Sequence, residues 1–225
     1  KLFLSSNHSY LLYFTDMGRV YRTKTYNIPE AGRTAKGTPV VNIIEKSPEE
    51  KISEIIPVKE FSDNEYLVMV TKNGVIKKTP ASEYESIRKS GKIAITLKEG
   101  DELISIFKTT GNDNIFLATR NGMAICFNEN DARAVGRTAS GVKAIDLADG
   151  DYVVGAEPVR EDSKVLLVTD GGYGKCTDLT SFRIQHRGGK GLKAYKITEK
   201  TGNIIGISMV NDSEELIMVT SEGVV

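Results

Sequence analysis

The 225-residue sequence contains no tryptophan, only two cysteines and only two histidines. Cys126 and Cys176 are too few and too far apart for a disulfide framework or a zinc motif, and they are typical of a reducing cytoplasm. His8 and His186 leave little from which to build a histidine metal site or a catalytic triad. No apolar run approaches the roughly 20 residues of a membrane helix. We therefore expect a non-enzymatic domain.

One pattern occurs five times: an apolar strand that ends in Thr, two further residues, Gly, and a second strand. The instances are "LLYFTDMGRVYRTK" (11–24), "LVMVTKNGVIKKTP" (67–80), "IFLATRNGMAICFN" (115–128), "LLVTDGGYGKCTD" (166–178) and "LIMVTSEGVV" (216–225). Their shared glycines, Gly18, Gly74, Gly122, Gly172 and Gly223, are 56, 48, 50 and 51 residues apart. Asn-Gly at two of these turns is a strong β-hairpin signal, so the chain is predicted to repeat a hairpin about every fifty residues.

A second pattern follows each of the first four hairpins: a basic loop that ends in Gly, then an alternating strand. The loops are "GRTAKG" (32–37), "RKSG" (88–91), "GRTASG" (136–141) and "HRGGKG" (186–191). A polar turn and a further apolar strand complete each unit. Only 80–90 has the pattern of a short helical turn, and the equivalent segments of the other repeats do not support one.

Four short strands per repeat, with almost no helical periodicity, predict an all-β fold of radially packed blades. A stack of sandwich hairpins does not explain the constant period. We predict a single domain over residues 1–225 with about four to five blades. Because the chain starts at Lys1 and the pattern is cut at both ends, we expect a fragment. Tyr26, Tyr84 and Phe182 precede the Gly loops at similar positions and are predicted to pack between blades.

The net charge is zero, but basic and acidic residues are concentrated in different segments of the chain. Four windows, each from hairpin exit through Gly loop (19–37, 72–92, 120–143 and 173–193), hold 20 basic and 6 acidic residues. The rest of the chain is correspondingly acidic, as in "EKSPEEK" (45–51). Since equivalent segments of a radial array occupy equivalent positions, we expect a continuous basic track for a polyanion. The alternative is a set of solvated connectors in a protein-interaction module.

The residue types in the loops suit phosphate. Glycine lets the backbone approach closely, arginine offers a bidentate fork and lysine a point charge. Few side chains suit base reading, so we predict duplex binding through the DNA backbone. The candidate DNA-binding residues are Arg33, Lys36, Arg88, Lys89, Lys92, Arg133, Arg137, Lys143, Arg183, Gln185, His186, Arg187, Gly188, Gly189, Lys190 and Gly191.

"QHRGGKG" (185–191) resembles the Gln-Arg-Arg-Gly-Gly-Lys-Gly box of the DNA gyrase A subunit. Residues 14–43 and 73–104 are likewise similar to the C-terminal domain of that subunit, while the resemblance covers essentially the whole chain. It implies a β-pinwheel, in which propeller-like blades exchange strands with their neighbours. It also implies that duplex DNA wraps around a basic rim, so that gyrase introduces negative supercoils.

The same resemblance implies the wider setting. The expected partners are double-stranded DNA, the rest of the gyrase A subunit, and, in an A2B2 holoenzyme, the gyrase B subunit. No cofactor is expected in this domain, with ATP and Mg needed only elsewhere in the holoenzyme. The expected location is the cytoplasm, at the nucleoid. The alternative within the family is the C-terminal domain of the topoisomerase IV A subunit, which selects DNA geometry.

The chain departs from the family pattern in two ways. His186 stands where the box has arginine, and the box lies in the fourth Gly loop rather than in the first blade. No segment resembles the context of a nucleophilic tyrosine, so no catalytic residue is expected. We expect removal of charge at Arg187 and Lys190 to weaken DNA binding with the fold intact, and valine at Gly188 and Gly189 to misshape the loop.

Overall fold

The computed structural model describes residues 3–215, so the fifth predicted hairpin, 216–225 with Gly223, lies outside the described residues. The described part is all-β, as predicted. Its strands are β1 (Tyr10–Thr15), β2 (Arg19–Lys24), β3 (Ile52–Val58), β4 (Tyr66–Thr71), β5 (Val75–Pro80), β6 (Lys92–Ile93), β7 (Leu103–Thr109), β8 (Asn114–Thr119), β9 (Met123–Asn128), β10 (Val142–Lys143), β11 (Val153–Pro158), β12 (Lys164–Thr169), β13 (Gly174–Asp178), β14 (Leu192–Lys193) and β15 (Ile204–Val210). That residues 1–225 form one domain remains a prediction.

The strands form four antiparallel sheets that exchange strands along the chain. Their orders are β3-β1-β2-β6, β10-β5-β4-β7, β11-β8-β9-β14 and β13-β12-β15. In the first sheet, Val20 of the hairpin pairs with Lys92, which follows the Gly loop of the next repeat. Ile76 pairs with Val142 and Ala124 with Leu192 in the same way. The exchange of strands that the family resemblance implied is therefore confirmed.

The Gly loops lie at the outer edge of the array. β3, β7, β11 and β15 each stand at one end of their sheet, and they contact one another in chain order. These strands therefore form the inner side, towards the axis. β6, β10 and β14 occupy the opposite ends of their sheets and so lie on the perimeter. Because these short strands directly follow Gly91, Gly141 and Gly191, the basic loops share that perimeter.

The core is built between neighbouring sheets. One buried cluster joins Phe14 of the first sheet to Leu67 and Tyr84 of the second repeat, and a later one joins Phe116 to Phe182. Tyr84 meets Phe14 edge-on at 5.8 Å between ring centroids, and Phe182 meets Phe116 at 4.9 Å. The predicted packing between blades is confirmed for these two aromatics. It is wrong for Tyr26, whose side chain is exposed, because no earlier sheet lies beside the first repeat in residues 3–215.

The strand predicted after Gly37 is absent, and a 3-10 helix, Val40–Asn42, stands in its place. The other Gly loops lead into strands of two residues only, and each of these pairs with the hairpin of the preceding repeat. The first repeat has no preceding hairpin among the described residues. Within residues 3–215 its alternating sequence thus has no edge to join, and local hydrogen bonds decide its conformation.

A 3-10 turn follows every described hairpin, so the expectation that only 80–90 would form a helical turn is wrong. The four turns span Thr25–Asn27, Ala81–Tyr84, Glu129–Asp131 and Leu179–Ser181. A turn of three or four residues is too short to leave a helical periodicity in the sequence. No helix within residues 3–215 is long and apolar enough to cross a membrane.

Candidate nucleic-acid interface

Four equivalent segments form the candidate interface, and we call them the perimeter loops: residues 32–37, 86–91, 136–141 and 186–191. Each ends at a glycine with a positive φ, between +73° and +88°. At Gly191, a Cβ atom would stand 2.3 Å from the carbonyl oxygen of Ala124. Glycine is therefore required there both for its conformation and for the close approach of the loop to the preceding hairpin.

Several predicted cations in and beside the perimeter loops are exposed and free. Their side chains make no hydrogen bond or ion pair within the described residues. They are Arg33, Lys36, Arg88, Lys89, Arg133 and Arg183. Such side chains can reach a phosphate without first breaking a contact inside the protein. The interface thus has charge available in every repeat that the structure describes.

Lys143, Lys190 and Lys92 have different surroundings. The ammonium of Lys143 lies 2.8 Å from Oδ1 of Asp146, and both side chains are largely exposed. The hydrogen bond from Lys143, together with the more distant charge of exposed Lys190, lowers the pKa of Asp146. Lys92 is half-buried. A surface ion pair of this kind is weak, so a phosphate can compete with Asp146 for Lys143.

The fourth perimeter loop is tied to the third repeat by its backbone. The N–H of Gly188 donates to the carbonyl of Ala144 at 2.7 Å, and the N–H of Asp146 donates to the carbonyl of Gly189 at 2.9 Å. The exposed His186 ring places Nδ1 3.2 Å from Oδ2 of Asp131. The residues that most resemble the gyrase box therefore form a docked loop with fixed geometry.

Arg187 is half-buried and directed at the protein. Its Nε donates to the carbonyl of Asp131 at 2.8 Å, and its Nη1 to the carbonyl of Lys143 at 2.9 Å. Arg137 occupies the equivalent place in the third loop, and its Nη1 donates to the carbonyl of Ile93. The expectation that charge could be removed at Arg187 without affecting the fold is therefore revised: this guanidinium joins two repeats.

Gln185 is half-buried, and its side-chain nitrogen is withdrawn from solvent. Its backbone N–H donates to the carbonyl of Cys126 at 2.8 Å, while its side-chain Nε2 is buried and finds no partner within residues 3–215. In this position the side-chain nitrogen cannot donate a hydrogen bond to a base edge. Gln185, one of the candidate DNA-binding residues, therefore lacks the exposed amide donor with which glutamine recognises adenine.

Lys77 is a buried cation that the sequence did not single out. Its ammonium donates to the carbonyls of Ala94 and Arg137, so it holds the third perimeter loop against the second repeat. Burial lowers the pKa of Lys77 to about 7, with a further contribution from the positive charge of Arg137. A lysine on a hairpin strand gave no sign of this role, because its two acceptors are backbone groups of distant residues.

Acidic residues in the connections also have structural partners. Glu50, in the acidic stretch 45–51, is buried and accepts hydrogen bonds from Thr15 and Tyr21 at 2.9 and 2.7 Å. Asp101 and Asp151 accept from backbone N–H groups at the hairpin tips, those of Asn73 and Asn121. These three carboxylates thus stabilise the first three hairpins.

Comparison with known proteins gives a consistent result. The family model described as "DNA gyrase C-terminal domain, beta-propeller" matches residues 9–59, 65–110, 113–160 and 163–211, and each match contains one hairpin and one inner strand. The A subunit of DNA gyrase from Clostridium acetobutylicum is 52% identical over 99% of this chain, which spans 27% of that relative's length.

Two solved structures share the fold. The C-terminal domain of DNA topoisomerase IV superposes with a TM-score of 0.85 at 31% identity, over 92% of this chain and 65% of the other. The DNA gyrase A C-terminal domain superposes with a TM-score of 0.79 at 26% identity, over 92% of this chain and 67% of the other. Four family matches, one on each of four strand-exchanged sheets, together with this identity to a gyrase A subunit, show that the chain belongs to the DNA gyrase C-terminal domain family.

Proposed function

We propose that this chain is a non-catalytic module that binds duplex DNA and bends it around the perimeter loops. The observation that carries the proposal is topological. Strand exchange places the segments after the second, third and fourth Gly loops at the outer end of the preceding sheet, so that free arginines and lysines from successive repeats line one edge. A duplex following that edge would meet a cation in every repeat.

The chemistry of the edge favours phosphate over bases. Exposed Arg and Lys side chains neutralise phosphates and release counterions, which gives strong and salt-dependent binding without sequence preference. The buried side-chain nitrogen of Gln185 supports the same view, because recognition of adenine by glutamine needs an exposed amide donor. Continuous contact along a curved edge repays the elastic cost of bending the DNA.

In the intact protein, the module would serve a DNA gyrase. The relatives bear the name of the gyrase A subunit, while the chain spans about a quarter of their length. We infer that its partners are duplex DNA, the remainder of the A subunit, and, in an A2B2 assembly, the B subunit. ATP and Mg would act elsewhere in that assembly, at the nucleoid in the cytoplasm. A wrapped segment would present a positive crossover to the strand-passing core, which converts it into negative supercoils.

Topology of a ligated circle tests the proposal. A nicked plasmid is incubated with the chain at low salt, sealed with ligase, freed of protein and run on a chloroquine gel. Wrapping of the gyrase type shifts the topoisomer distribution by positive writhe in proportion to bound protein. Bending without a shift would indicate the geometry-selecting type of topoisomerase IV.

A parallel measurement separates DNA binding from a protein-interaction role. The affinity for a linear duplex is measured by fluorescence anisotropy over a range of KCl concentrations. Binding through phosphates gives a linear fall of log affinity with log salt, by about 0.9 per phosphate contact. Absence of duplex binding at low salt would refute the DNA-binding proposal and favour the protein-interaction module.

A further inference from the structure

Starting from the proposed function, we propose that Arg137 and Arg187 are positioning residues that fasten perimeter loops to the preceding repeat, and that neighbouring free cations make the phosphate contacts. The two arginines are thereby separated from the other basic residues of the interface. Their charge faces the backbone of the protein, and their effect on DNA passes through the loops that they hold.

The two contacts are equivalent in the repeat. Each arginine lies four residues before the glycine that ends its loop, Gly141 or Gly191. In each case Nη1 donates to the carbonyl two residues after the corresponding glycine of the preceding repeat, that of Ile93 or Lys143. The recurrence of donor atom, acceptor atom and sequence offset indicates a feature of the repeat.

The pairing of the short strands explains why these carbonyls are open to a donor from the next repeat. The N–H of Ala144 points to the preceding hairpin, where it donates to the carbonyl of Gly74 at 2.7 Å. Because backbone groups alternate along a strand, the carbonyl of Lys143 points the other way, beyond the edge of the sheet. Arg187 satisfies that edge carbonyl and also bonds the carbonyl of Asp131. One fork thus joins the loop to two elements of the third repeat.

The remaining two repeats act as internal comparisons. In the second repeat the equivalent residue is Ile87, which is buried in the core, and its loop is held instead by Arg19, whose Nη2 donates to the carbonyl of Ser90 at 2.8 Å. In the first repeat the equivalent residue is Arg33, which is exposed, and no preceding repeat lies beside it in the described residues. Where a preceding repeat is present, an arginine joins loop and neighbour.

Charge-preserving and charge-removing variants distinguish a positioning arginine from a phosphate ligand. Arg187→Lys keeps the charge but lacks the fork that bonds two carbonyls, and Arg187→Gln removes both. Lys190→Gln removes an exposed charge from the same loop, and Arg183→Gln is the matched control for an exposed arginine. The melting temperature, the salt slope of binding to a linear duplex and the writhe shift in the ligated circle are measured for each.

Positioning predicts that Arg187→Lys and Arg187→Gln both lower the melting temperature by about 4 °C or more, since each kcal/mol shifts it by ~2–4 °C in a chain of this size. Both variants should keep the salt slope of the wild type and, well below their melting temperatures, give at most half of its writhe shift. Lys190→Gln and Arg183→Gln should each reduce the slope of log affinity against log salt by up to about 0.9, at an unchanged melting temperature.

Three results would overturn the inference. A slope reduced by Arg187→Gln and restored by Arg187→Lys, at constant melting temperature, would make the residue a phosphate ligand. A lowered melting temperature with an unchanged writhe shift would make the contact merely structural, and variants that match the wild type in every measurement would exclude any role. Failure of the proposed function looks different, because the wild type would then show neither duplex binding nor writhe, whatever the melting temperatures.

Discussion

Lys78 and Glu129 form an ion pair between the second and third repeats, with 3.4 Å from Nζ to Oε2 and side chains that are 5% and 0% exposed. The carboxylate also accepts hydrogen bonds from the hydroxyl of Thr109 and from the N–H groups of Gly111 and Asp113. The lysine additionally lies 4.9 Å from the ring of Tyr66. A charge pair this deeply buried makes the two repeats dependent on each other.

Glu129→Gln is expected to lower the free energy of unfolding by about 3–5 kcal/mol, because the ammonium of Lys78 stays buried without its counter-charge. Urea denaturation followed by circular dichroism measures the change. Glu102→Gln is the matched control: Glu102 pairs with Lys72 at 3.0 Å, but both side chains are substantially exposed. That control should cost less than about 1 kcal/mol. Equal costs for the two variants would contradict the dependence of the repeats on the buried pair.

Gly191→Ala is expected to destabilise the protein by about 2–4 kcal/mol. The new methyl would meet the carbonyl of Ala124, and the positive φ adds strain. Gly189→Ala, two residues earlier, has no atom nearer than 3.9 Å and no positive φ, and it should change stability by less than about 0.5 kcal/mol. Urea denaturation measures both changes, because at a constant m-value a shift of the midpoint reports a change in stability. A stable Gly191→Ala variant would show that the loop does not approach the hairpin this closely.

Lys77 should make stability depend on pH. Its pKa is about 7 in the folded protein and near 10.5 in the unfolded chain, so between these values the unfolded chain binds the extra proton. Stability therefore rises with pH in that range. Lys77→Met should reduce the rise of the free energy of unfolding with pH by about 1 kcal/mol per pH unit between pH 7.5 and 8.5. Urea titrations at several pH values test this, and parallel curves for the two proteins would exclude a titrating Lys77.

The exposed lysines of the perimeter loops should contribute additively to DNA binding. The triple variant Lys36→Gln, Lys89→Gln, Lys190→Gln is expected to lose up to about 2.7 from the salt slope, with the fold unchanged. Lys98→Gln is the control, since Lys98 is exposed but lies in an acidic turn outside the loops. Anisotropy titrations with a linear duplex measure both. An equal loss from Lys98→Gln would mean that the DNA does not follow the perimeter.

Much of the repeat architecture could be predicted from sequence because its signals are local. Asn-Gly at 73–74 and 121–122 needs only the φ preferences of a tight turn, and both hairpins are present. The strand after Gly37 could not be excluded in this way. Its sequence alternates like the others, and what it lacks among the described residues is a neighbouring hairpin, which is a property of the assembled fold.

The residues of the candidate interface likewise divide into those that local sequence predicts and those that the assembled fold decides. The exposure of Arg33 and Lys89 agrees with the simple interpretation of a charge in a polar loop. For Arg187 and Gln185 the residue type suggested contact with DNA, whereas the structure turns one towards backbone carbonyls and buries the side-chain nitrogen of the other. Acceptors that are main-chain atoms of another repeat leave no trace in composition or spacing.

Strand exchange also has a consequence for synthesis on the ribosome. Val20 pairs with Lys92, which is translated 72 positions later. Ile76 and Ala124 likewise pair with later residues, Val142 and Leu192. At ~5–20 residues per second, each newly emerged hairpin therefore exposes an open edge for about 4–14 s before its last strand is made. Neighbouring nascent chains on one messenger could pair through such edges. Slow or crowded translation should therefore increase mispairing between these open edges.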